Sequence, residues 1–168
     1  MNRRLFISLS AIGGVSTLIS ADNIIEERKD RLPKDIYLTI EAIISHFFPS
    51  NGHLPSAQEF GAMEFLDNTI YHRTFDRDIR DFIIRGAESF IRESRGAFLK
   101  YNQIERERVL REFESSSIGG DWLSRIMILS MEALLSDPIY GGNIRESGWR
   151  ALDIDEGKPQ PSVRFVEL

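Results

Sequence analysis

Three histidines, His46, His53 and His72, are the side chains of this sequence best suited to metal ligation or to proton transfer near neutral pH. None has a glutamate three residues before it, so the paired Glu-x-x-His sites of di-iron bundles are missing. No His-Glu-x-x-His helix, Gly-x-Ser-x-Gly elbow, phosphate-binding loop or Gly-x-Gly-x-x-Gly turn occurs. Cysteine is absent, which excludes disulfides, thiolate zinc sites, cysteine-held iron–sulfur clusters and thioether-linked haem. The carboxylates are scattered over helix surfaces and single out no acid/base pair. His46, beside Phe47 and Phe48 near a helix end, reads as packed or capping. The expectation is a chain with no catalytic residue, cofactor or metal of its own.

The distinctive segment runs Ser136-Asp137-Pro138-Ile139-Tyr140-Gly141-Gly142-Asn143 and is followed by Gly148-Trp149. Pro138 cannot extend a helix, and Asp137 suits a free backbone N–H in a turn. Gly141, Gly142 and Asn143 tolerate positive φ in succession, so the backbone can reverse tightly there. Tyr140 and Trp149 offer large apolar faces with polar tips, the side-chain type that anchors interfaces. Two readings stay open: a docking loop for a partner, or a loop folded back on its own bundle with the aromatics as lids.

The elements that would carry this loop are helices. Ile36, Ile40, Ile43, Ile44 and Phe47 repeat at the helical period from Asp35 until Pro49 and Asn51-Gly52 intervene. A second helix is predicted from about Ser56 to Tyr71, with Phe60, Met63, Leu66 and Ile70 on one side. A third is predicted from Asp76 to Ser94 and a fourth from Gln103 to Glu114. A fifth follows Asp121 as N-cap, with Trp122, Leu123, Ile126, Met127, Ser130, Met131 and Leu134 as its inner stripe. Glycine and proline after Leu135 predict an irregular arm over residues 136–168, ending in a strand or arm from Val163 to Leu168. The fold class is therefore all-α: a small bundle of about five helices over residues 35–135 with a Gly/Pro-rich C-terminal docking tail.

Ahead of the bundle, Arg3 and Arg4 precede Leu5, Phe6 and Ile7 and a mildly apolar run to Ile19, with no acid before Asp22. A basic start, a short apolar stretch and small residues at Ser20 and Ala21 are the parts of a secretory signal. The arginine pair followed by apolar residues is similar to a twin-arginine signal over residues 1–21, with 22–34 as a polar tether. The formal net charge is −5, and losing Arg3 and Arg4 with the signal makes the mature chain more acidic still. An acidic chain lacks the basic footprint that nucleic acid requires, so no nucleic-acid partner is expected.

The Asp137-Pro138-x-Tyr140-Gly141-Gly142-Asn143 block with Gly148-Trp149 resembles the signature of the gluconate 2-dehydrogenase subunit 3 family. Pro49, Pro55-Ser56-Ala57 and Phe60 are similar to the family's earlier Pro-Gly-Ala region, with Ser56 in place of the usual Gly. The resemblance covers about residues 35–160; after Trp149 the stretch Ala151 to Gly157 departs from the family's Ile-Gly-Tyr-Pro-Gly-like pattern. It implies a noncatalytic small subunit of an exported FAD-dependent dehydrogenase of sugars, sugar acids or polyols. By the same resemblance, FAD belongs to a large partner subunit and c-type haem to a multihaem cytochrome subunit. The small chain would carry the twin-arginine signal, recognised by the translocase through Arg3, Arg4, Leu5 and Phe6. It would support export, maturation and stability of the flavoprotein in the periplasm, at the outer face of the inner membrane through the complex or an uncleaved signal. The docking residues so implied are Asp137, Pro138, Tyr140, Gly141, Gly142, Asn143, Gly148 and Trp149. The alternatives are a freestanding periplasmic helical enzyme or metal binder using His46, His53 or His72, and an interaction protein with another partner.

Overall fold

Two helix starts are fixed by side chains that the sequence places at the right spacing. Asp76 accepts hydrogen bonds from the backbone N–H groups of Asp78 and Ile79 at 2.8 and 3.2 Å. Asn102 and Glu105 form a reciprocal capping box, each side chain accepting from the other's backbone N–H. The computed structural model describes residues 31–155 and 160–163. Within them lie six α-helices: α1 Lys34–Phe47, α2 Ala62–Ile70, α3 Arg77–Glu93, α4 Gln103–Glu114, α5 Gly119–Leu135 and α6 Ser147–Leu152. No strand occurs among the described residues, and no described helix is long and apolar enough to cross a membrane. The predicted signal over residues 1–21 and most of the tether lie outside the described residues.

Helix α5 is the hub, packing against α1, α2, α3, α4 and α6. Its Trp122 is fully buried and donates from Nε1 to the Ile83 carbonyl of α3 at 2.9 Å. Around it the rings of Phe90, Phe98 and Phe113 meet edge to face, with centroids 4.8 and 5.0 Å from Phe90. Phe90 also stacks on Trp122 at 6.0 Å. This cluster ties α3, α4, α5 and the 3₁₀ turn Phe98–Lys100 together, and aromatic pairs in such geometry contribute about 0.5–1.5 kcal/mol beyond simple burial. Ile36, Ile40, Ile43 and Ile44 of α1 and Leu66 and Ile70 of α2 are buried in the same continuous core.

Three expectations are corrected. The second helix begins at Ala62, six residues later than predicted, because Gly61 adopts φ +73 and interrupts the turns that Ser56 and Glu59 start. Asp121 is not the N-cap of α5: the helix begins at Gly119, whose N–H donates to Ser116 Oγ at 3.0 Å, and Asp121 sits in the first turn. There its charge still complements the helix dipole. The segment 136–152 is not an irregular arm. It folds as the 3₁₀ turns Pro138–Tyr140 and Ile144–Glu146 and then α6, which packs against α5. Residues 164–168 of the proposed terminal strand lie outside the described residues, and Val163 is an exposed bend.

Candidate partner-docking site

The loop after α5 is built by hydrogen bonds that close the helix end. An α-helix leaves its last carbonyls without internal partners. Here Ser136 Oγ donates to Ala133 O at 3.2 Å, Trp149 Nε1 donates to Leu135 O at 2.9 Å, and Asn143 Nδ2 donates to Ser136 O at 2.9 Å. Asn143 is completely buried, and its Oδ1 accepts the N–H of Gly148 at 2.8 Å. One side chain therefore pins both ends of the loop. Asp137 Oδ1 accepts from Ile139 N at 3.0 Å and starts the turn with Pro138 at its first position.

The three residues expected to share positive φ divide their work. Gly141 at φ +93 and Asn143 at φ +46 reverse the chain, while Gly142 between them is not left-handed. Gly142 is required for another reason: a Cβ there would collide with the Ala133 carbonyl. At Gly148 a Cβ would collide with the Leu134 carbonyl. The loop thus lies flat on the end of α5, and Gly142, Asn143 and Gly148 face inward. Tyr140 and Trp149 are half-buried and keep surface on the outside, as do Asp137, Pro138 and Gly141.

Beside Tyr140 opens a groove of about 870 Å³ between α2 and α5. Phe65, Phe75, Met127, Ile128, Met131 and Leu135 supply its apolar walls, and Glu132 is the single formally charged lining residue. On α5 the groove is edged by a stripe that the bundle leaves uncovered: Ile128, Met131 and Leu135 are 45%, 37% and 38% exposed. Those positions repeat at i, i+3 and i+7, a single helix face. Met131, expected in the inner stripe, points into this groove; Leu129 and Ala133 take the inner positions instead. Sequence reading missed Ile128, Met131 and Leu135 as surface residues. The available signal was that α5 is apolar around more of its circumference than one core requires.

A neighbouring hollow of about 540 Å³ shares Met127 and Ile128 with the groove and reaches His46, Phe47 and Glu107. His46 Nε2, carrying the hydrogen, donates to Glu107 Oε2 at 2.7 Å and links α1 to α4. Arg111 holds the other Glu107 oxygen at 2.8 Å. The His46 bond first, and then Arg111, keep the Glu107 carboxyl below its ordinary value of 4.5. A depressed folded value means stability that is complete above pH 4.5 and fades as pH falls through that lower value. Glu107 is half exposed, so screening limits the effect to below about 1 kcal/mol. Glu107→Gln is therefore expected to flatten the acid limb of a melting-temperature profile below pH 4.5 while moving the neutral midpoint little. Unchanged acid sensitivity in that variant would contradict it.

The remaining histidines do other things. His72 Nδ1 lies 2.8 Å from Thr74 Oγ1 after α2, and His53 sits in the loop between α1 and α2. Among the described residues no three or more His, Asp or Glu side chains come together as a metal site would need. Comparison with known proteins points one way. The family model described as Gluconate 2-dehydrogenase subunit 3 matches residues 34–157, which takes in all six helices and the loop. No curated protein and no solved structure matches the chain.

Proposed function

The chain belongs to the gluconate 2-dehydrogenase subunit 3 family, a small subunit of a larger dehydrogenase complex, and from that premise we propose that it is the noncatalytic export and docking subunit of a periplasmic FAD-dependent dehydrogenase. The substrate class is sugars, sugar acids or polyols, and the flavin and the reacting groups belong to the large subunit. A multihaem cytochrome would take the electrons onward. The observation that supports docking is the uncovered Ile128, Met131 and Leu135 stripe beside Tyr140. Contiguous apolar surface of this kind costs free energy in water at roughly 25 cal/mol per Å² and is characteristic of protein interfaces. The loop residues Asp137, Pro138, Tyr140, Gly141 and Trp149 then border the interface, with Gly142, Asn143 and Gly148 holding them in position.

Purification through a tag on this chain, expressed in its native cells, tests the reading. A flavin spectrum in the eluate, with sugar or polyol oxidation, is the expected result. A colourless, inactive eluate containing this chain alone would sink it.

Export is assigned to Arg3 and Arg4, which the twin-arginine translocase would read together with Leu5 and Phe6. Replacing both arginines with lysine preserves charge and removes the guanidinium geometry. The double variant is expected to strand both this chain and its flavoprotein in the cytoplasm, as read by fractionation. Normal periplasmic delivery would show a signal that needs only positive charge.

A further inference from the structure

The apolar groove between α2 and α5 has a candidate occupant within the same polypeptide. We propose that, before the dehydrogenase docks, the groove holds the chain's own apolar segment, residues 5–19, and that docking displaces it. The inference rests on the docking role proposed above and adds a means of tying signal exposure to assembly.

The described chain begins against α2, the helix that forms one wall of this groove, on the face turned away from it. Leu32 donates its N–H to Asp67 Oδ1 of α2 at 3.1 Å, and the Arg31 guanidinium lies 3.9 Å from the same carboxylate. The next α2 residues, Asn68 and Thr69, line the groove. Thirty residues precede Arg31, and Leu5 to Ile19 is their apolar part. Residues 20–30 can span up to about 36 Å when extended, more than enough to return the run to the groove. As a helix, residues 5–19 would measure about 22 Å, while α5 lines the groove only from Met127 to Leu135, about 12 Å, so roughly half of the run would be seated there. Sign also agrees: the single formal charge in the lining is Glu132, and Arg3 and Arg4 precede the run.

The physical consequence is competition. An apolar segment and a partner surface that use one groove exclude each other, and a tethered segment acts at an effective concentration of about millimolar. The unassembled chain would keep its apolar signal covered. The flavoprotein, binding the same stripe more tightly, would release it to the translocase.

The sequence contains no cysteine, so engineered thiols report alone. Ile12→Cys is paired with Met131→Cys in the groove, and separately with Ile104→Cys, which is 83% exposed on α4. The full chain is synthesised in a membrane-free translation mix and treated with a short bismaleimide. The groove pair is expected to cross-link within the chain about tenfold faster than the α4 pair. Co-synthesis of the dehydrogenase should abolish the difference. Equal rates for the two pairs would overturn the proposal, and so would cross-linked dimers, which would assign the groove to a second copy. Persistence of the groove cross-link in flavoprotein-bound chain would overturn displacement. Retention of flavoprotein by the unmodified full chain reports separately on the docking role: retention with no groove cross-link rejects self-occupancy alone.

Discussion

Replacing Ile128 and Met131 with glutamate is expected to release the proposed flavoprotein partner from this subunit and to leave the subunit's own melting temperature nearly unchanged. Both side chains are well exposed on α5, at 45% and 37%, and neither belongs to the buried core. Surface substitutions away from caps and cores usually shift stability by no more than about 0.5 kcal/mol. In the complex the same positions would carry two carboxylates into an apolar contact. Truncating a single central interface anchor costs roughly 2–4 kcal/mol, and an unpaired buried charge costs at least as much. Even the lower figure is about a thirtyfold loss of affinity. The measurement is paired: the thermal midpoint of residues 22–168, which lack the segment proposed to occupy the groove, and flavin retained in a pull-down at a temperature where the chain is folded. Full retention by the double-glutamate variant would move the interface off this face.

Gly148→Ala is expected to act in the opposite sense, lowering the subunit's own midpoint before it affects the partner. A single added carbon would occupy the space of the Leu134 carbonyl, so the loop must lift from the end of α5. Lifting breaks the Asn143 bond to Gly148 N and strains the Trp149 bond to Leu135 O. Overpacking of this kind costs about 1–3 kcal/mol, and each buried polar group left without a partner adds about 1–3 kcal/mol. For a chain of this size that is a fall of roughly 10 °C. Asn143→Ala should approach the same loss, because it orphans Gly148 N and Ser136 O without adding bulk. Midpoints within 2–4 °C of the unaltered chain in both variants, a loss of about 1 kcal/mol or less, would show that the loop does not stabilise the bundle. Tyr140→Ala separates the roles from the other side: a partner-facing ring should cost retention more than stability.

These two expectations divide a segment that reads in sequence as one motif. The spacing of Asp137, Pro138 and Gly141 announces a turn, and Tyr140 with Trp149 announces an anchor. Nothing local distinguishes a glycine needed for positive φ from one needed for close approach. That distinction depends on the Ala133 and Leu134 carbonyls, which meet the loop only after the chain has reversed onto α5. The burial of Asn143 is hidden for the same reason, since its two partners, Ser136 and Gly148, lie on either side of the reversal.

The sequence by itself determined the all-helical class, because apolar residues recur at the helical period from Ile36 to Leu134 and periodicity is a local property. It determined the starts of α3 and α4, because Asp76 and Asn102 cap N–H groups only two or three residues away. The block from Asp137 to Trp149 was enough to indicate the family. Tertiary structure alone decided which faces of α5 are covered. That helix is apolar on several sides, and only the positions of its five neighbours leave Ile128, Met131 and Leu135 open while burying Leu129 and Ala133. It also decided that the last turn of α5 is closed from residues up to fourteen positions away, from Trp149 back to Leu135. A helix end exposes carbonyls wherever it stops, and which side chains return to satisfy them is settled by the path of the chain in space.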